Sequence, residues 1–201
     1  LFENGGYVLV EWGFDIAILT RDDGAAFPVA TNIQILNNTF ITNSLAALFV
    51  YSNVGSNVNT VQFTNNIVKG VRSYGYITFV TNDGVKSNFT IKNNNLYQNV
   101  NSNAIGLLSG AALPTSSTIT GNFVANPLLD ASFYLTASSP GINAGVNVGL
   151  PYCGSAPDDG WVEYCPTSTP PVANAGNDQT ITLPVSSVTL SGTATTSGSI
   201  I

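Results

Sequence analysis

Ile33-Gln34-Ile35-Leu36-Asn37-Asn38-Thr39-Phe40 is one line of a repeat, and three more lines align beneath it. They are Val61-Gln62-Phe63-Thr64-Asn65-Asn66-Ile67-Val68, Phe89-Thr90-Ile91-Lys92-Asn93-Asn94-Asn95-Leu96, and Ser117-Thr118-Ile119-Thr120-Gly121-Asn122-Phe123-Val124. Asn38, Asn66, Asn94 and Asn122 follow one another at a constant step of 28, and so do Ile35, Phe63, Ile91 and Ile119. A fixed period of roughly 20–50 residues built from short β-type runs marks a solenoid. The unit reads as strand, two-residue asparagine turn, strand, longer loop, strand, loop. The fold class that follows is all-β: a parallel β-helix of about 28 residues per coil.

Asparagine suits such a turn, because it tolerates the left-handed backbone region better than most residues other than glycine. Coils stack at roughly 4.8 Å, so one asparagine per coil lies above the next. Side-chain amides can then hydrogen-bond along the stack, as amide ladders do in cross-β assemblies. The sequence therefore predicts a structural ladder of Asn38, Asn66, Asn94 and Asn122.

A second corner recurs less regularly. Phe14–Thr20, Leu45–Tyr51, Gly75–Thr81 and Asn103–Ser109 read as equivalent strands, followed by Gly24, Gly55, Gly84 and Gly110. Those glycines stand at steps of 31, 29 and 26, so this corner tolerates length changes that the asparagine corner does not. Glycine is expected there for positive φ. Variable corners on a stiff solenoid are where binding surfaces form. Upstream, Asn4-Gly5-Gly6 and Tyr7–Val10 read as the turn and strand of an earlier, less regular coil. The opening Leu1-Phe2-Glu3-Asn4 falls in mid-coil without a Met or a recognisable leader, and reads as the interior of a longer chain.

Composition narrows the partners. Of 201 residues only 8% are charged, 44% are hydrophobic, and the net charge is −6. A nucleic acid or an anionic membrane surface would require a basic footprint. No apolar run reaches the roughly 18–20 residues of a membrane span. Cys153 and Cys165 sit close together among Pro and Gly. A disulfide closing that loop, contributing roughly 2–3 kcal/mol, is expected in an oxidising compartment, with free thiols as the alternative.

From Asn126 the repeat stops. Phe133-Tyr134-Leu135, Ser139-Pro140-Gly141-Ile142-Asn143-Ala144-Gly145 and Asp159-Gly160-Trp161-Val162-Glu163-Tyr164 follow. This segment resembles the closing coil of secreted right-handed parallel β-helix proteins of the pectate-lyase-like superfamily, with its pattern F-x-L, S-P-x-I-D-A-G and D-I-G-A-x-E-Y. The chain departs from it at Asn143, at Asp159-Gly160-Trp161, and by its cysteine pair. The resemblance implies that residues 1–166 form a parallel β-helix with a C-terminal cap, which shields the apolar end of the last coil.

Thr167–Pro171 reads as a stiff linker. Beyond it, over 172–201, Val172–Pro184 and Val188–Gly192 resemble the opening strands of a PKD-like, immunoglobulin-type β-sandwich. Only about 30 of the roughly 80–100 residues of such a domain are present. Together these segments resemble surface proteins of Bacteroidetes-type bacteria. That implies extracellular or cell-surface localisation, type IX secretion, and contact with secretion or surface-anchoring proteins.

Candidate site residues are sparse. Relatives in this superfamily include polysaccharide lyases and glycoside hydrolases, the latter needing two carboxylates roughly 5–10 Å apart. Here Lys69 and Arg72 follow one strand, while the equivalent of Lys69 one coil on is Tyr97, so no catalytic set emerges. Tyr51, Tyr74, Tyr76 and Tyr97 recur near strands, where planar rings could stack on sugars, although half of such residues should face the core. Asp22, Asp23 and Asp83 share the glycine corner; about 10 Å apart two coils on, they would hold Ca²⁺ only with ligands from the coil between. Asp158 and Asp159 read as cap structure. Of the sequons Asn37-Asn38-Thr39 and Asn88-Phe89-Thr90, the first lies inside the turn ladder, and neither is read as modified. The resulting expectation is glycan or surface binding, or adhesion. The alternatives are a lyase or hydrolase whose catalytic coils lie upstream, and a structural stalk of a large adhesin.

Overall fold

A computed structural model describes residues 14–20, 29–42, 44–80, 84–98, 105–166, 172–189 and 191–195. The Asn4 turn, the Tyr7–Val10 strand, Gly24 and the 167–171 linker lie outside the described residues. Two compact units divide the chain, Leu1–Tyr164 and Cys165–Ile201.

The first unit is a parallel β-solenoid of about 3 turns. One sheet holds β1 (Phe14–Thr20), β4 (Ala46–Ser52), β7 (Ile77–Val80) and β10 (Gly106–Leu108). A second holds β2 (Val29–Leu36), β5 (Asn57–Thr64), β8 (Val85–Lys92) and β11 (Thr118–Thr120). The third is β3 (Thr39–Ile41), β6 (Ile67–Lys69) and β9 (Asn95–Tyr97). In the second and third sheets the register keeps the repeat, as in Ile35↔Phe63↔Ile91↔Ile119 and Phe40↔Val68↔Leu96. In the first, Ile18, Val50, Phe79 and Leu107 share a column at steps of 32, 29 and 28. Length variation is absorbed in the loops on both sides of that sheet, the glycine corner among them.

Alternation sets what fills the coils. Leu48, Val50, Val58, Val61, Phe63, Val68, Ile77, Phe79, Phe89, Ile91 and Leu96 form one buried cluster. Phe79 meets Phe89 edge to face, with centroids 5.0 Å apart, and Phe40 stacks on Phe63 at 5.9 Å. Removing such a ring would cost about 3–5 kcal/mol. On the opposite face of the first sheet, Ala17, Ala46 and Phe49 make a second buried cluster with Leu19, Tyr51, Val80 and Leu108 against it.

The asparagine corner divides two tasks that one residue per coil was expected to perform. The left-handed backbone belongs to the first residue of each pair: Asn37 (φ 51°), Asn65 (57°), Asn93 (48°) and Gly121 (70°). The ladder belongs to the second. The amide Oδ1 of Asn66 accepts from the backbone N–H (2.9 Å) and Nδ2 (3.2 Å) of Asn38. Asn94 does the same for Asn66 at 2.9 and 3.0 Å, and Asn122 for Asn94 at 3.1 and 2.7 Å. Each Nδ2 also donates to a strand carbonyl: Asn38 to Leu36, Asn66 to Ile35, Asn94 to Phe63 and Asn122 to Ile91. Burying these amides is tolerable because their polar atoms find partners.

A third column of left-handed residues also keeps the period: Asn32, Thr60, Asn88 and Ser116, at φ 55–58°. It kinks β2, β5 and β8 where Thr31↔Asn59↔Ser87 gives way to Ile33↔Val61↔Phe89. At the glycine corner, Gly55 and Gly110 have positive φ (80° and 77°). Gly84 does not; a Cβ there would lie 2.2 Å from Ser52 Oγ, so close approach excludes a side chain.

The segment after Asn126 differs most from expectation. It does not close the last coil end-on; it runs back along the asparagine corner as a strap. The first-asparagine column holds it: Asn93 Nδ2 donates to the Ala144 carbonyl (2.8 Å), Asn65 to Val146 (2.8 Å) and Asn37 to Asp158 (3.1 Å). Asn65 Oδ1 accepts from Val146 N, and Asn65 O from Gly160 N. The two arms of the strap pair through Gly145 N to Pro157 O and Asp159 N to Gly141 O. The last coil consequently leaves core-facing positions open, with Leu107 44% and Ile119 38% exposed.

In the second unit, β12 (Val172–Asn174) pairs antiparallel with β13 (Thr193–Thr195). The pairing falls just beyond the Val188–Gly192 run that was expected to form the strand. The described side chains here are exposed, so this unit shows no buried core among its described residues.

Candidate functional site: a basic and aromatic column

Phe40, Val68 and Leu96 point into the core, so their neighbours in β3, β6 and β9 face outward. Thr39 and Ile67 lie under the strap, where a Cβ on Gly160 would meet Thr39 Oγ1 at 2.7 Å and Ile67 Cδ1 at 2.9 Å. Ile41, Lys69 and Tyr97 form the next outward column, in register. Lys69 Nζ stands 6.0 Å from the centre of the Tyr97 ring, within reach of a cation–π attraction. Arg72 and Tyr74 follow in the loop after β6, both exposed. Their backbone amides bond to the Ser44 and Leu45 carbonyls of the preceding coil, which fixes the loop. Thr42 and Ser44 in turn donate to Asp15 Oδ1 at 2.8 and 2.5 Å, anchoring that preceding loop to β1.

The four tyrosines therefore separate. Tyr97 stands beside Lys69, and Tyr74 is exposed in the loop that carries Arg72. Tyr51 packs against the second cluster on β4. Tyr76 is in the core, 2% exposed, and burial pushes its phenol up to about 12. It cannot meet a ligand, because the loop entering β7 turns the ring into the core, 6.4 Å from Phe63.

The calcium reading cannot be built further: Asp22, Asp23 and Asp83 lie outside the described residues. Among the described residues no three His, Cys, Asp or Glu side chains are arranged to hold a metal ion. The acidic residues of the strap are structural. Asp158 Oδ1 accepts from Asn143 N (2.7 Å) and Oδ2 from Tyr164 N (2.5 Å), while Asp158 N donates to the Glu163 carboxylate. In the D-I-G-A-x-E-Y pattern Asp158 thus takes the aspartate position, one residue earlier than Asp159. Asp159 takes the position of the apolar isoleucine. It is fully buried beside Leu135 and Gly141, and neither carboxylate oxygen has a hydrogen-bond partner. Burial, then the charges of Asp158 and Glu163, push its pKa up to about 8. Glu163 is raised too, chiefly by burial.

Cys153 and Cys165 are both disulfide-bonded, and they are the chain's 2 cysteines. No helix among the described residues is long and apolar enough to cross a membrane. In comparison with known proteins, no family model, no curated protein and no solved structure matches the chain.

Missed in the sequence were the roles of Asn37, Asn65 and Asn93 in holding the strap. Their strap partners are main-chain groups, which leave no mark in side-chain identity. The Asn32, Thr60, Asn88, Ser116 column was detectable as a second set of polar residues at the same period.

Proposed function

We propose that this chain is an extracellular or cell-surface glycan-binding β-solenoid, and that Lys69, Arg72, Tyr74 and Tyr97 meet the sugar. The observation that carries this reading is the Lys69–Tyr97 column, with a cation and a planar ring side by side on an outward sheet face. Such a pair suits an acidic sugar: the ammonium and the Arg72 guanidinium attract a uronate carboxylate, and the ring takes the apolar face of the pyranose. A guanidinium binds a carboxylate in a bidentate manner and an ammonium binds it as a point charge. Stacked coils repeat such surfaces at roughly 4.8 Å, a spacing that favours an extended polymer over a small molecule.

Affinity electrophoresis through polygalacturonate tests this. Retardation is expected, weakened about tenfold or more in Lys69→Ala/Arg72→Ala and falling with salt. Unretarded migration at low salt would end the reading. Appearance of unsaturated uronate in ultraviolet absorbance would move the protein to the lyases.

A further inference from the structure

The strap carries a group of aromatic side chains that includes none of the Lys69 column. Phe133 is 50% exposed, Tyr134 41% and Trp161 52%. The Tyr134 and Trp161 rings stack with centroids 5.2 Å apart and planes 21° from parallel. Their placement is fixed from several directions. Trp161 Nε1 donates to the Phe133 carbonyl (3.3 Å), and Trp161 N donates to Thr39 Oγ1 (3.2 Å). Asp130 Oδ1 accepts from the amides of Ser132 (2.8 Å) and Tyr134 (3.0 Å), and Asp130 N donates to the Tyr134 carbonyl at 2.9 Å.

That turn forces Phe133 to φ 64°. Elsewhere in the chain this backbone falls mostly to Asn and Gly, which adopt it with little strain. A bulky residue there is strained, and a half-exposed phenyl gains little core burial to offset it. The indole N–H is already satisfied, so what the group offers to solvent is ring face.

We propose that Phe133, Tyr134 and Trp161 form a platform for the apolar face of a neutral pyranose in a polysaccharide. A pyranose presents axial C–H groups on one face and hydroxyls around its rim. The first stack on indole and phenol rings, and the second find the exposed Asp130 and Ser132 of the same turn. Charge selects the class of sugar. Residues 126–164 contain no Lys or Arg to neutralise a uronate or sulfate, while Asp130, Asp158 and Glu163 lie in the same segment, so a neutral sugar is favoured here. Aromatic groups with two rotatable side-chain torsions give contact area at low entropic cost, and these are already ordered before binding.

The platform shares no residue with the Lys69 column and takes a sugar of different charge, so the two can fail separately. The test is affinity electrophoresis of the full chain through hydroxyethyl cellulose, galactomannan and arabinoxylan, with polygalacturonate alongside. Retardation by at least one neutral polymer is expected, tenfold or more weaker in Trp161→Ala and unchanged in Lys69→Ala/Arg72→Ala. Phe133→Gly guards against a folding artefact: it is expected to weaken retardation at least threefold while the melting temperature holds or rises. If no neutral polymer retards the protein, or if retardation survives both Trp161→Ala and Phe133→Gly, the platform is overturned. Retardation by polygalacturonate alone overturns it too, while leaving the Lys69 column standing.

Discussion

The coils and the strap are two ways of burying a backbone. In the coils the buried turn amides are repeated and satisfied: Asn66 is fully buried, yet its amide accepts from Asn38 and donates to Ile35 and Asn94. In the strap the irregular features gather: an orphaned carboxylate at Asp159, a left-handed Phe133, and rings turned to solvent. The contrast teaches that repetition supplies the stability here, and that the unrepeated segment is free to hold unfavourable groups because the coils anchor it.

Breaking the ladder should have the largest effect. Asn66→Ala strands the Asn38 amide and the Ile35 carbonyl, and should lower stability by about 4 kcal/mol in urea unfolding. The strap should respond to pH instead. Asp159 has a folded pKa of about 8 against an ordinary 3.8, so the folded state holds more protons between those values. Its contribution to stability is therefore full below about pH 4 and is lost as pH rises towards 8. The loss should be about 2 kcal/mol, below the full linkage value because the strap can open locally and hydrate the carboxylate. Asp159→Asn should flatten this profile and stabilise the protein at pH 9, in melts across pH. A smaller effect sharpens the division at the corner: Asn65→Gly keeps the left-handed turn but loses the bonds to Val146, and should cost about 1–2 kcal/mol. Hydrogen exchange should then rise in residues 141–161 and not in β5. Smallest is Thr60→Asn, which relieves a β-branched residue at φ 55° and should add about 0.5 kcal/mol.

Much of the coil architecture was legible because side-chain identity and structural role coincide. The asparagines at 66, 94 and 122 both accept from the coil before and donate to a strand carbonyl, two tasks that one short amide combines. Tyr76 could not be told from Tyr74 and Tyr97, because the loop between β6 and β7 varies in length between coils and hides strand parity. The path of the strap was hidden for another reason. A closing pattern identifies a segment that shields apolar surface, but Ala144, Val146 and Asp158 meet the asparagine column through main-chain groups, which almost any residue could supply. Trp161 stands beside two buried aspartates, and its own exposure follows from the path of the strap, which its position in the sequence does not reveal.

The strap also acts as a ruler. Its acceptors at Ala144, Val146 and Asp158 match Asn93, Asn65 and Asn37 one to one, in reverse order along the stack. A whole 28-residue coil could be inserted without disturbing any ladder, yet the strap would then fall one tooth short. The number of rungs is thereby written into a segment that belongs to none of them.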